Sequence, residues 1–172
     1  MNNLRIVKLK KRFNCLTALK KSGYFDIQKD TNYAEAIIRA EIPYQPGVYL
    51  VFSLDISGNE NLLLYFGKAG VTSNKNRPSL NFHQLPARLL AATSIGCDHK
   101  YLKGRKMQNL GKKKIDITRA KIWPWYVKTK YKFGVRVYWF ITDWFSGQDP
   151  NAVEKDLKFI LKSELPAWKK LI

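Results

Sequence analysis

The sequence predicts a small α+β domain, and three features of the chain support that prediction. Its 172 residues are the length of one ordinary domain. About 45% of them are hydrophobic and 13% are aromatic, which is enough for a buried core. Segments with the apolar spacing of helices alternate with runs of β-branched and aromatic residues that are typical of strands. A small, mostly antiparallel sheet flanked by helices is therefore expected.

Residues 1–45 are predicted to form a basic helical extension. Residues 4–21 carry an apolar stripe at helical spacing, with lysines at the other positions. Gly23 stands where such a helix would end, and residues 33–40 look like a second, short helix. The stripe consists of Leu9, Phe13, Leu16, Ala18 and Leu19. The basic side of the first helix is compatible with a solvated surface, with DNA contact or with binding to a membrane surface.

Residues 46–172 are predicted to form the main domain, which opens with a β-hairpin. The apolar strands 48–52 and 62–66 flank a polar tip rich in Ser, Gly and Asn, an arrangement typical of hairpins. Gly67 is expected to end the second strand.

Four further segments follow the hairpin. Residues 85–92 are short, apolar and Ala-rich, which predicts a helix carrying Arg88. Residues 119–127 and 134–142 are strand candidates because they are rich in Ile, Val, Trp, Tyr and Phe. The Asp-Pro-Asn triplet before residues 152–161 indicates a helix start, and that segment has a helical pattern.

The charge of the chain is strongly positive. It has 31 Lys and Arg residues against 13 Asp and Glu residues, a formal net charge of +18. Such an imbalance favours a polyanionic partner, most often nucleic acid. No stretch approaches the roughly 18 apolar residues of a membrane span, and lysines interrupt the run where a signal peptide would stand. We therefore expect a cytoplasmic protein without a membrane partner.

Cysteine and histidine usage agrees with that expectation. Cys15 and Cys97 are the only cysteines, and His83 and His99 are the only histidines. Their number and spacing exclude a zinc finger. A disulfide is not expected in a cytosolic protein.

A lysine-rich segment lies between the third predicted helix and the later strands. Residues 100–114 contain seven Lys or Arg and no acidic residue. We expect these cations to follow the phosphates of DNA and release counterions, which positions the protein without reading sequence. They are Lys100, Lys103, Arg105, Lys106, Lys112, Lys113 and Lys114.

Two tripeptides of the hairpin resemble the namesake motifs of the GIY-YIG nuclease superfamily. Gly47-Val48-Tyr49 stands on the first strand and Tyr65-Phe66-Gly67 on the second. Lys68, Arg88 and Glu154 follow in the order that the family pattern implies. The glycines of both motifs would leave room for backbone or phosphate beside the tyrosines.

The resemblance covers about residues 46–168 and is closest to the restriction-endonuclease branch. A long loop precedes the arginine helix, and Thr93-Ser94-Ile95 follows it. The glutamate helix is followed by Pro166-Ala167-Trp168, which is similar to the Pro-x-Trp end of that branch. The resemblance implies a divalent-metal-dependent endonuclease that hydrolyses double-stranded DNA. Two cuts by single-site domains would need a homodimer on the DNA or successive events.

The implied chemistry explains the residue types. Phosphodiester hydrolysis needs an activated water, stabilisation of charge on the phosphoryl group and help for the leaving oxygen. Mg²⁺ or Mn²⁺ supplies the second and third and prefers oxygen ligands, so the resemblance assigns Glu154 to the metal. Arg88 would brace the scissile phosphate. Tyr49 and Tyr65 would orient or activate the water, and Lys68 would favour an ionised phenol at Tyr65.

Two positions depart from the restriction branch. Ala92 stands where those relatives carry a histidine, and Lys169 stands where they carry an asparagine after the tryptophan. The missing histidine bears on water activation. It supports an alternative function, that of a non-catalytic or weakened nucleic-acid-binding relative of the GIY-YIG nucleases.

Overall fold

The computed structural model describes residues 2–70, 84–90, 132–143 and 148–161. They form one antiparallel four-stranded sheet with helices on both faces, which confirms the expected α+β class. The helices and strands are α1 (Asn2–Arg12), a 3₁₀ helix (Asn14–Leu16), β1 (Ser22–Ile27), α2 (Tyr33–Arg39), β2 (Gly47–Leu54), β3 (Glu60–Ala69), α3 (Leu85–Leu90), β4 (Val135–Ile141) and α4 (Pro150–Ile160).

The strands are arranged in the order β1-β4-β2-β3. The β2–β3 hairpin therefore pairs with β4 through β2, and β3 lies at the edge of the described sheet. One row of paired residues crosses all four strands, from Ser22 to Phe140, then to Val48 and Lys68. Residues paired in this way point to the same face of an antiparallel sheet, so this row defines one face.

Two hydrophobic cores cover the two faces of the sheet. The first packs α2 and α3 against one face, and the second packs α1, the 3₁₀ helix and α4 against the other. Every residue of β2 is buried because both of its faces are covered. A strand buried on both faces needs apolar side chains at every position, which is why its sequence is a continuous apolar run.

The single helix expected over residues 4–21 is wrong after Arg12. Phe13 has an extended backbone (φ −122°, ψ 93°), which separates α1 from the 3₁₀ helix. This bend turns the chain so that Phe13, Leu16 and Leu19 all enter the second core. The predicted apolar stripe is thus buried, apart from the exposed Ala18, but by two short helical segments and not by one long helix.

Strand β1 was not predicted. Gly23 lies inside it, opposite Trp139, and does not end a helix. A Cβ added at Gly23 would come within 2.5 Å of the Trp139 ring, so the indole occupies the space that a side chain would need. Because β1 pairs with β4, residues 1–45 contribute a strand to the sheet, which the expectation of a helical extension did not include.

The remaining described elements agree with the sequence. Helix α4 begins as predicted, since the Asp149 side chain accepts hydrogen bonds from the backbone N–H of Asn151 and Ala152 at 2.7 and 3.1 Å and Pro150 occupies the first turn. The strand expected over 119–127 lies outside the described residues. No helix in the described ranges combines the length and apolar character needed to cross a membrane.

Candidate functional site

The two tyrosines of the hairpin lie side by side on the face covered by α2 and α3. Tyr65 pairs with Val51, two residues after Tyr49, so both phenols leave the same face. Their ring centroids are 5.8 Å apart with an interplanar angle of 26°, which is an offset stack. Tyr49 is completely buried, whereas Tyr65 is partly exposed. Of the two, only Tyr65 offers surface to a ligand.

Gly67 makes room for Tyr49. The two residues are directly opposite each other on β2 and β3. A Cβ at Gly67 would stand 2.6 Å from the Tyr49 hydroxyl oxygen and 2.8 Å from its Cζ. The Gly67 backbone thus approaches Tyr49 closely, and the ring fills the space that a side chain at position 67 would take. Gly67 does not end β3, however, because pairing continues to Ala69.

Gly47 has a different role from the one expected. A Cβ added at Gly47 would meet the backbone carbonyl oxygen of Phe140 and would stand 3.0 Å from the Leu85 side chain. A side chain there would push β4 and α3 away from β2. The glycine therefore allows close packing of two neighbouring elements and not an approach to Tyr49.

Lys68 and Glu154 form an ion pair on the opposite face, where α4 packs. The Lys68 ammonium lies 2.6 Å from Glu154 Oε2 and donates to Asn151 Oδ1 at 2.8 Å. Both charged side chains are more than two-thirds buried, with exposed fractions of 29% and 28%. Glu154 therefore points to the edge strand and not into bulk solvent.

Helix α4 holds Asn151 and Glu154 in this position. Its inward side chains Val153 and Leu157 lie in the second core, which fixes the rotation of the helix about its axis. Asn151 and Glu154 are three residues apart, so they are neighbours on one side of the first turns. No sequence motif singled out Asn151. The available signal was its place one turn before Glu154, next to the helix start.

The structure brings four of the five candidate residues to β2, β3 and the start of α4, as two pairs. Tyr65 and Lys68 are three residues apart on β3, so their side chains leave opposite faces, and their backbone positions are about 10 Å apart. The tyrosine pair and the Lys68–Glu154 pair are thus on either side of one strand. The expectation that Lys68 acts on the Tyr65 phenol is therefore wrong, because its ammonium pairs with Glu154 on the opposite face. A ligand that touches both has to lie along the outer edge of β3.

The fifth candidate, Arg88, belongs to α3, and its side chain lies outside the described part. Helix α3 is anchored on the tyrosine face, because Leu85 and Leu89 are buried in the first core and the Tyr33 hydroxyl donates to the Leu89 carbonyl at 3.0 Å. The seven basic residues of 100–114 and the positions Ala92 and Lys169 also fall outside the described residues.

The oxygens around the Lys68 ammonium are the groups in this part of the structure that could bind a metal. Asn151 Oδ1 and Glu154 Oε2 converge on that one cationic group, as ligands of a hard cation would. The described ranges contain no group of three or more His, Cys, Asp or Glu side chains that could hold a metal. The chain would therefore supply one carboxylate and one amide oxygen, which suits Mg²⁺ because it usually keeps several waters.

A second charged cluster ties the other end of the sheet together. Arg136 donates to both carboxylate oxygens of Asp26 at 2.7 Å and to Glu60 at 2.5 Å. The Tyr138 hydroxyl donates to the same Glu60 oxygen, and Arg5 of α1 reaches it at 3.2 Å. The cluster joins α1, β1, β3 and β4, and sequence analysis did not identify it.

The pKa of Glu60 reflects this environment. Burial by itself raises the pKa, but hydrogen bonds from Tyr138 and Arg136, a backbone hydrogen bond and the Arg136 charge outweigh burial and lower it to about 2. The same contacts act on the partners. Burial and the Glu60 carboxylate raise the pKa of Tyr138. These groups stay in one charge state across the physiological range, so they hold the fold together and do not titrate there.

Comparisons with protein-family models, with curated proteins and with solved structures found no match for this chain. A functional proposal therefore depends on the motif residues and on their geometry in the fold.

Proposed function

We propose that the protein is a divalent-metal-dependent endonuclease of the restriction type that hydrolyses phosphodiester bonds of double-stranded DNA. The observation that carries the proposal is the convergence of Glu154 and Asn151 on the Lys68 ammonium beside the edge strand that also carries Tyr65. The formal net charge of +18 supports a polyanionic substrate. The resemblance of the hairpin to the GIY-YIG motifs supports the reaction type.

Each residue has a distinct task in this proposal. Glu154 and Asn151 would hold Mg²⁺ or Mn²⁺, and the bound ion would supply positive charge to the phosphoryl oxygens and the leaving oxygen. Lys68 turns from Glu154 to a phosphate oxygen when the DNA arrives. Tyr65, whose phenol is partly exposed, orients the attacking water through a hydrogen bond, and the proton that the water loses passes to solvent. Tyr49 is a positioning residue that supports the Tyr65 ring by stacking.

Bond changes in this reaction are those of a hydrolysis. The oxygen of the water bonds to phosphorus, the bond from phosphorus to the leaving oxygen breaks, and that oxygen takes up a proton from solvent. Arg88, carried by α3 on the tyrosine face, neutralises the phosphate through charge-assisted hydrogen bonds. The cations of residues 100–114 contact the phosphates of the DNA backbone.

The proposal includes a cytoplasmic location and a homodimer on DNA. The low cysteine count supports a reducing compartment. A dimer supplies two copies of a site that has one set of catalytic residues, so that both strands can be cut in one binding event.

Cleavage of supercoiled plasmid in the presence of Mg²⁺ or Mn²⁺ tests the proposal. The wild-type protein is expected to produce nicked and linear DNA, and Glu154→Gln is expected to remove that activity. Asp156→Asn, an exposed carboxylate change on the same helix, is the matched control and is expected to cut normally. Equal cleavage by the wild type and Glu154→Gln would assign the activity to another site or to a contaminant.

A second candidate function is a nucleic-acid-binding module without catalysis. The complete burial of Tyr49 and the closed Lys68–Glu154 ion pair favour it, because neither Tyr49 nor the paired carboxylate is open to a substrate. That module would bind DNA tightly and with strong salt dependence, and no divalent cation would produce cleavage.

A further inference from the structure

The N-terminal part of the chain presents cations that the site described above does not use. Residues 2–25 contain seven Lys or Arg and no acidic residue. Two of the seven have structural tasks, since Arg5 pairs with Glu60 and the Lys10 ammonium donates to the Leu19 carbonyl. Of the other five, Arg12 lies over the Phe13 ring. The last four side chains are exposed and take part in none of the ion pairs among the described residues. They are Lys8, Lys11, Lys20 and Lys21, and we refer to them as the N-terminal basic surface.

The fold holds these four lysines together. Lys8 and Lys11 are neighbours on the outer side of α1, because Ile6 and Leu9 face the second core. The Lys10 hydrogen bond to Leu19 joins the last turn of α1 to the segment that carries the other two lysines.

The N-terminal basic surface lies at the same end of the sheet as the candidate site. Helix α1 starts near the hairpin tip, where Arg5 meets Glu60, and runs away from it. The Lys21 carbonyl accepts a hydrogen bond from the backbone of Ile141, the last residue of β4, at 2.9 Å. The next residue, Ser22, begins the row of paired residues that ends at Lys68.

The distance along that row suits a DNA duplex. Three strand spacings separate Ser22 from Lys68, which amounts to about 14 Å. The major groove of B-DNA is about 12 Å wide. A duplex with one phosphate at Lys68 therefore brings phosphates of the opposite groove wall close to Lys20 and Lys21.

We infer that the N-terminal basic surface contacts the backbone of double-stranded DNA and sets how the duplex lies across the end of the sheet where Ser22 and Lys68 stand. The inference rests on the proposed function, because that function places the scissile phosphate at Lys68. Cations near a helix C-terminus are favourable without any ligand, which accounts for Lys11, but Lys20 and Lys21 lie outside the helix. A membrane gains little from α1, because the helix exposes only two large apolar side chains, Leu4 and Val7, while Ile6 and Leu9 are buried in the core.

The salt dependence of DNA binding tests the inference. Binding of the full chain to a fluorescent duplex is measured by anisotropy in EDTA, in a series of KCl concentrations, with every variant in the Glu154→Gln background so that no cleavage intervenes. The first variant changes Lys8, Lys11, Lys20 and Lys21 to Gln, and the second changes only Lys20 and Lys21. The matched control changes Lys29 and Lys132, two exposed lysines at the opposite end of the sheet, to Gln.

The slope of log K against log salt is expected to become shallower by about 0.9 for each phosphate that the variant no longer neutralises. This predicts a change of roughly 3.6 for the fourfold variant and roughly 1.8 for Lys20→Gln/Lys21→Gln, with no comparable change in the control. Unchanged slopes, or equal changes in the control and in Lys20→Gln/Lys21→Gln, would overturn the inference.

Two further measurements separate other outcomes. Sedimentation with phosphatidylserine vesicles is expected to show no binding that depends on the four lysines; lysine-dependent vesicle binding with unchanged DNA binding would overturn the inference. Plasmid cleavage by the protein with Glu154 intact is scored separately. Absence of cleavage with the slope difference intact would reject the proposed nuclease but keep the DNA-binding surface.

Discussion

The ammonium of Lys68 lies 2.6 Å from Glu154 Oε2, so the carboxylate assigned to the metal already holds a cation. Lys68 follows the second tyrosine motif by one residue and Glu154 comes from the last described helix, and α4 packing brings them together. A divalent cation that binds Glu154 Oε2 would have to displace this ammonium. The pair therefore links metal binding to the position of the lysine that we expect to contact the phosphate.

Replacement of Lys68 by Met is expected to tighten Mn²⁺ binding while it reduces cleavage. A partly exposed ion pair contributes about 0.2–1 kcal/mol, so its removal should increase Mn²⁺ affinity by up to about fivefold. Cleavage should fall because the ammonium no longer reaches the phosphate. Mn²⁺ titration followed by electron paramagnetic resonance measures the first effect. Lys155→Met, an exposed change on α4, is the control. Weaker Mn²⁺ binding by Lys68→Met would contradict the idea that Lys68 and the metal compete for Glu154.

Asn151 is expected to be a metal ligand that the sequence did not reveal. Asn151→Ala removes one oxygen from the pair that surrounds the Lys68 ammonium, so Mn²⁺ affinity should fall severalfold. Asn151→Asp keeps an oxygen there and adds charge, and it should restore or increase the affinity. Calorimetric titration of both variants is the measurement. Equal Mn²⁺ affinity for the Ala variant and the wild type would show that Glu154 acts without Asn151.

Gly67→Ala is expected to destabilise the protein by roughly 1–3 kcal/mol, as overpacking does. The new methyl group would stand 2.6 Å from the Tyr49 hydroxyl oxygen, so the ring or the strand would have to shift. Tyr49→Phe removes the nearest atom but leaves Cζ at 2.8 Å, so it should relieve part of the cost. A double-mutant cycle by urea unfolding measures this coupling. If the changes in unfolding free energy of the two single variants add up to that of the double variant, the two residues are not coupled.

Acid is expected to weaken the fold through Glu60. Its folded-state pKa of about 2 lies below the ordinary 4.5, so its contribution to stability is complete above pH 4.5 and is lost as the pH falls toward 2. The full loss is of the order of 3 kcal/mol. Urea unfolding between pH 6 and 2.5 should therefore show a smaller pH dependence in Glu60→Gln than in the wild type.

Glu35→Gln is the control for that experiment. Glu35 pairs with Arg39 on α2 at 3.4 Å, but both side chains are mostly exposed. Such a pair contributes a few tenths of a kcal/mol, so the pH dependence should stay close to that of the wild type. A Glu60→Gln profile that coincides with the wild-type profile would remove Glu60 from the acid response.

Local patterns were sufficient for most of the described elements. Strand β2 and the start of α4 follow from an apolar run and from an Asp-Pro-Asn triplet, both of which act over a few residues. Strand β1 could not be predicted in this way, because its conformation depends on pairing with β4. The link between Asp26 and Arg136 joins residues 110 positions apart, and no local pattern contains that information.

The amino-acid sequence by itself determined the α+β class, the hairpin that carries Tyr49 and Tyr65, and the helix that carries Glu154. Only the tertiary structure decided that Tyr49 is buried under Gly67, that Tyr65 remains partly exposed and that Asn151 joins Glu154 at the Lys68 ammonium. The physical reason is that spacing along a strand or helix specifies the face on which a side chain lies. The group it meets there depends on how distant segments pack against one another.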